Sequence, residues 1–174
     1  VLLAAAYLHD IVAFEKNDAQ RADASRLAAE KSSVILTKLG FPPEKLDAVM
    51  HAVEAHSFSA QIQPRTIEAE ILQDADRLDT LGAIGLARIF HVGGRIGAEL
   101  FHEDDPLAQH RQLDDAAYSL DHFHTKILGL PDRMNTEPGR ELARLRMHII
   151  EQFLECLLAE IGSATAAGPD EKRA

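Results

Sequence analysis

From Thr136 to Ile161 apolar side chains recur with helical spacing: Ala143, Met147, Ile150, Leu154, Leu157 and Ile161 fall on one stripe. A helix of that length with one apolar face must lay it against other elements. The rest of the chain supplies helices as partners. Val1–Asp10 is apolar on every side and rich in alanine, which favours a central helix over a strand. Ala19–Gly40 reads as a helix with a glycine stop, its apolar side built from Leu27, Val34 and Leu39 with Ala24, Ala28 and Ile35. Pro42-Pro43 opens another, with Leu46, Val49, Met50 and Val53 as its stripe and an end near His56. Pro64–Phe90 reads as one long helix, capped by Thr66 with Glu68 in its first turn. The pattern loosens from His91 to Asp114, a stretch that suits either a lid or surface decoration, and helical spacing returns at Ala116–Leu130. Alternating strand patterns and hairpin turns do not occur. The expected fold is an all-α, single-domain helical bundle over residues 1–161, with 162–174 as a frayed tail.

Composition narrows the function. The chain has 174 residues, 46% of them hydrophobic, enough for a real core in one compact soluble domain. A formal net charge of −10 argues against stable binding to a nucleic-acid backbone. The single cysteine, Cys156, rules out a disulfide within the chain and reads as a core thiol, in keeping with a reducing cytoplasm. The opening VLLAAAYL is too short to cross a bilayer and lacks the basic start of a signal peptide. It reads as the middle of a helix, so further residues are expected upstream. The Met147–Ile161 stripe serves either core packing or a homodimer seam.

Four polar constellations interrupt the apolar pattern. The first is His9-Asp10, at the end of an apolar helix. A carboxylate beside Leu, Ala, Ile and Val is costly to desolvate, and a helix C-terminus disfavours an anion. A divalent cation would relieve both; an arginine or a backbone cap are the alternatives. The second is QDADRLD, with Asp74, Asp76 and Asp79 in one helical segment. Asp74 shares a side with Ile71, Leu78 and Leu81, whereas Asp76 lies about 200° away, so both carboxylates cannot face one ion from a regular helix. Asp79 suits a solvated face. The third is HAVEAHSFSA, in which His51 reads as a structural histidine and His56 stands at a helix end. The fourth is SLDHFHTK, which places His122 and Lys126 four residues apart on one face, a pair that either meets phosphate oxygens or forms a polar surface.

Carboxylates and imidazoles without a cysteine cluster suit a hard or borderline divalent ion and hydrolytic chemistry. The chain has no Gly-rich phosphate loop, no His-Glu-x-x-His helix and no Gly-x-Ser-x-Gly elbow.

LLAAAYLHDIV, AVEAHSFSA and EAEILQDADRLDTLGAIGLARIF, in that order, resemble the HD-domain metal-dependent phosphohydrolases. DDPLAQHRQLDD and LDHFHTKILGLPDRMNT are similar to the small bacterial YedJ-type branch. The similarity runs from Val1 to about Glu160. It implies an HD-type helical bundle holding one divalent ion (Mn, Mg, Co, Ni or Fe) by His9, Asp10 and Asp76, together with a histidine upstream of His9 where this chain has no residue. It makes Asp74 a supporting carboxylate, because the metal aspartate of similar proteins precedes a basic residue, as Asp76 precedes Arg77. The implied reaction is attack of an activated water on a nucleotide or related small phosphoester. Asp10 would orient the water; His56, Arg77 and Lys126 would neutralise charge on phosphorus, with His122 a weaker candidate. The alternative is a metal- or nucleotide-binding regulatory protein without turnover.

Overall fold

The computed structural model describes residues 1–14, 18–57 and 60–166. Among them there are seven α-helices and no strand; the only β-type pairing is an isolated bridge between Glu99 and Tyr118. The chain divides into two compact units, Val1–Asp79 with Asp132–Glu141, and Thr80–Pro131 with Leu142–Ala174.

The first unit is built around α3 (Leu46–Ala55), which packs on α1 (Leu2–Leu8), α2 (Ala24–Lys38) and α4 (Ile67–Leu78). Val49, Ala52, Val53 and Ala55 of α3 are fully buried, and Leu46 and Met50 pack against the same core. Each buried valine contributes roughly 1.5–3 kcal/mol. The neighbouring helices contribute many alanines to this core, among them Ala5, Ala28, Ala29 and Ala69. The inward face of α2 differs from the sequence expectation. Ser25, Ala28, Ala29, Ser32 and Leu36 are buried, while Val34 and Leu39 are exposed. Small residues at the helical repeat fit against α3 better than the bulkier ones, and the Ser32 hydroxyl is satisfied by donating to the Ala28 carbonyl at 2.6 Å. Thr66 caps α4 as expected, its hydroxyl accepting from the Ala69 N–H at 3.3 Å.

Pro64–Phe90 is not one helix. α4 ends at Leu78, Leu81 is extended, and α5 (Gly82–Ile96) starts at a glycine with φ +68°. A left-handed backbone there breaks the helix and is strained for any residue with a Cβ. α5 in turn absorbs His91–Ile96, the start of the stretch whose helical pattern loosens in the sequence.

The second unit holds α5, the short α6 (Ser119–His122) with a π-type turn over Phe123–Ile127, and α7 (Glu137–Ala166) from Leu142 onward. Its centre is aromatic: Phe90, Phe123 and Phe153 lie with ring centroids 5.5–6.3 Å apart. Ala143, Met147 and Ile150 are buried along the expected stripe of α7. Cys156 is exposed, contrary to the core reading, because it lies about 200° around the helix from Leu154. The segment before α6 is pinned. Asp121, fully buried, accepts Arg111 Nη1 at 2.5 Å, Arg111 Nη2 at 2.7 Å and the Asp114 N–H at 2.7 Å. Arg111 also stacks over Tyr118, 4.6 Å from the ring centroid. α7 continues to Ala166, so the first residues assigned to the tail are helical; 167–174 lie outside the described residues. No helix among the described residues is long and apolar enough to cross a membrane.

Candidate metal centre

Three side chains from two helix ends converge. α1 stops at Leu8, and the turn after it carries His9 and Asp10. α3 stops at Ala55 with His56 as its C-cap. Each histidine turns back on its own helix: His9 Nδ1 lies 2.8 Å from the Ala6 carbonyl, and His56 Nδ1 2.5 Å from the Val53 carbonyl. A carbonyl only accepts, so the ring proton belongs on Nδ1 and the Nε2 lone pair of each ring points outward. Both Nε2 atoms lie near Asp10. His9 Nε2 is 3.5 Å from Oδ2, and His56 Nε2 is 3.5 Å from Oδ1. The two rings meet edge to face with centroids 4.9 Å apart.

This donor set fits a divalent ion. Two imidazole lone pairs and a carboxylate all lie within 4.8 Å of one another. Metal–ligand bonds of about 2.1 Å set neighbouring donors of a tetrahedral shell about 3.4 Å apart, close to the observed spacing. The backbone carbonyls behind each imidazole are the usual outer partners of ligating histidines. Asp76 on α4 faces the same place electrostatically. Burial raises its pKa; the rings of His56 and His9 oppose the rise, and the Asp10 charge adds to it. His56 shows the complementary effect. Burial works against charge on its ring, but the Asp10 carboxylate, the Val53 carbonyl and Asp76 together raise its pKa.

Asp10 is not buried among apolar side chains: its own side chain is 67% exposed. What marks it is the pair of lone-pair-bearing nitrogens it faces.

Residues 1–81 match the HD domain. YpgQ of Bacillus subtilis, an uncharacterised protein, is 34% identical over 161 residues, which span 90% of this chain and 70% of YpgQ. The chain belongs to the HD-domain family. A crystal structure of YpgQ superposes with a TM-score of 0.72 at 32% identity, covering 97% of this chain and 78% of that one. A crystal structure of YpgQ in complex with ADP gives 0.68 at 31% identity, covering 91% and 72%. An HD-superfamily hydrolase from Bacillus thuringiensis gives 0.60 at 26% identity, covering 91% and 83%.

Within this HD domain the two aspartates of α4 have different surroundings. Asp74 is buried and saturated with donors. Its Oδ1 accepts the Asn135 N–H at 2.8 Å and Asn135 Nδ2 at 2.9 Å, while Oδ2 accepts the Thr136 N–H and hydroxyl, both at 2.8 Å. It anchors the start of α7, and a Cβ on Gly139 would overlap its carboxylate. Gln73 ties the same loop to the end of α3 that carries His56: its Nε2 donates to the Ala55 carbonyl at 2.7 Å, and its Oε1 accepts from Asn135 Nδ2 at 2.8 Å. Arg77 donates to the Arg133 carbonyl. His51, as expected, is structural, its Nε2 accepting the Arg65 N–H at 2.9 Å.

Lys126 and His122 belong to the second unit and do share a face. Lys126 Nζ lies 2.6 Å and His122 Nδ1 3.0 Å from the same oxygen, Asp115 Oδ2. Desolvation works against the Asp115 charge, but Lys126 and His122 outweigh it and bring the carboxyl pKa down to about 2. The sequence reading did not single out Asp115 or Arg133. A lone acid or base in a loop carries no periodic signal; only the packing shows what it meets.

Proposed function

We propose that the chain is a divalent-metal-dependent phosphohydrolase acting on a nucleotide or a related small phosphoester. The observation that carries this reading is that ligand atoms of His9, Asp10 and His56 all lie within 4.8 Å of one another, each Nε2 being 3.5 Å from an Asp10 oxygen. Among the described residues no other group of three or more His, Cys, Asp or Glu side chains makes such a cluster. The HD family match and the hydrolase among its structural relatives support the chemistry. The ADP complex of YpgQ supports a nucleotide as the ligand class.

His9, Asp10 and His56 would hold the ion, with Asp76 completing the set. When bound, a divalent cation there supplies Lewis-acid charge to a phosphoryl oxygen and lowers the pKa of a nearby water. The residues do the positioning. His9 and His56 keep their protons on Nδ1 and present Nε2. Asp10 accepts a hydrogen bond from the attacking water and orients it. Arg77, one residue beyond Asp76, offers a guanidinium to a phosphoryl oxygen. In this reading His56 is a ligand rather than a neutraliser of phosphoryl charge, and Lys126 and His122 hold Asp115.

The test is metal titration and turnover side by side. Metal-stripped protein is titrated with Mn2+, then assayed on nucleoside mono-, di- and triphosphates with phosphate and pyrophosphate separated. Asp10→Ala and His56→Ala should each weaken metal binding by about 100-fold and abolish turnover. Full activity in either variant sinks the assignment. Tight metal binding without any turnover returns the regulatory binder.

A further inference from the structure

The first unit contains a cavity of about 330 Å³, lined by Arg77, Arg133, Gln61, Gln73, Asn135 and Ser57 among others. The lining includes two arginines and no acidic residue, in a chain of net charge −10. The volume is in the range of small-ligand pockets and exceeds what one tetrahedral oxyanion needs. Its walls start next to the metal centre on two separate strands of chain. Ser57 follows His56, and Arg77 follows Asp76, so each pair has Cα atoms about 3.8 Å apart.

The walls are pre-organised. Arg77 donates to the carbonyl of Arg133, which fixes the two guanidinium-bearing residues relative to each other. Asp74 grips the backbone of the next loop residues, Asn135 and Thr136, and Arg140 Nη1 donates to the Met134 carbonyl at 2.8 Å. Gln61 lines the cavity with a left-handed backbone, φ +53°, a strained conformation for a residue with a side chain. Two arginines on one cavity repel as like charges. An anion in the cavity removes that repulsion, and a guanidinium fork matches phosphate oxygens.

We propose that this cavity is an oxyanion subsite in which Arg133 and Arg77 hold a second phosphoryl group of the ligand, beyond the one at the His9–Asp10–His56 cluster. The inference rests on the phosphohydrolase reading for what occupies the cluster. The subsite itself is testable without metal or turnover. Arg133 is a specificity-determining residue: it distinguishes ligands with a diphosphate from those with a single phosphate.

The experiment is calorimetric titration of the metal-free full chain with pyrophosphate at fixed ionic strength. Wild type should bind pyrophosphate more tightly than orthophosphate. Arg133→Ala should weaken pyrophosphate binding about tenfold or more, and Arg133→Lys should recover part of the loss. The Arg133 side chain is exposed and its carbonyl is retained in every variant, so the fold should survive; Arg133→Gln repeats the test if the alanine variant does not fold. If the metal titration fails while the Arg133 effect persists, the hydrolase reading falls and the subsite stands. No pyrophosphate binding by wild type, or equal affinity in Arg133→Ala and wild type, overturns the subsite. Displacement of pyrophosphate by adenosine, which has no phosphate, overturns it as well and makes the cavity a nucleoside pocket.

Discussion

Asp10 and Asp74 belong to the same unit and show two opposite ways to keep a carboxylate. Asp74 is 2% exposed and ringed by four donor contacts from Asn135 and Thr136. Asp10 is mostly exposed, and its oxygens lie 3.5 Å from the Nε2 atoms of two imidazoles whose Nδ1 atoms are turned to backbone carbonyls. The Asp74 nest is complete with protein atoms alone. The Asp10 cluster gathers electron pairs at one point, an arrangement that a cation stabilises. The difference is one of donors and acceptors. A buried acid surrounded by N–H and O–H groups builds the fold, whereas an acid grouped with lone pairs is arranged for a ligand.

The contrast is broken most directly at Asp74. Asp74→Ala leaves the backbone N–H groups of Asn135 and Thr136 without their acceptor and should cost about 3 kcal/mol in urea unfolding. Asp10→Ala should change stability by no more than about 0.5 kcal/mol while removing metal binding. Equal stability losses in the two variants would erase the distinction. A smaller effect probes the same nest from the other side. Gly139→Ala pushes a methyl into the Asp74 carboxylate and should cost about 1–3 kcal/mol, with metal affinity retained. A variant as stable as wild type would show that the nest yields freely.

The smallest effect sharpens the comparison in the second unit, where Asp115 is held by Lys126 and His122. Its folded pKa of about 2 lies below the ordinary 3.8, so its contribution is fully present above pH 4. That contribution is lost as pH falls from about 4 through 2. Asp115→Asn should therefore be less stable than wild type by about 1 kcal/mol at pH 6, after allowance for solvent screening, and the gap should close toward pH 2. A gap that persists unchanged at low pH would show that Asp115 acts by packing and not by charge.

Much of this was legible in the residues, with instructive failures. Helix type and approximate position follow from apolar spacing and caps, as at Thr66 and along the α7 stripe. The break at Leu81-Gly82 was not legible, because helical spacing continues on both sides and only the backbone shows φ +68° at Gly82. The inward face of α2 was misread because Val34 and Leu39 outrank Ser25 and Ser32 in hydrophobicity, yet close packing on α3 selects the small residues. Cys156 was misplaced for a similar reason: an apolar neighbourhood in sequence is not an apolar face.

The sequence by itself determined the all-helical class and its main helices, and the residue types from which a metal site is built: the His9-Asp10 pair, a histidine at a helix end and an acid-rich α4. Those follow from local periodicity and side-chain chemistry, which a linear chain displays. The tertiary structure decided what those residues do together. It brought His56 to Asp10, gave Asp74 its four donor contacts, joined Lys126 to Asp115 and set Arg133 beside Arg77 across one cavity. Each of these depends on contacts between residues far apart in the chain, and only packing fixes which lone pair meets which donor.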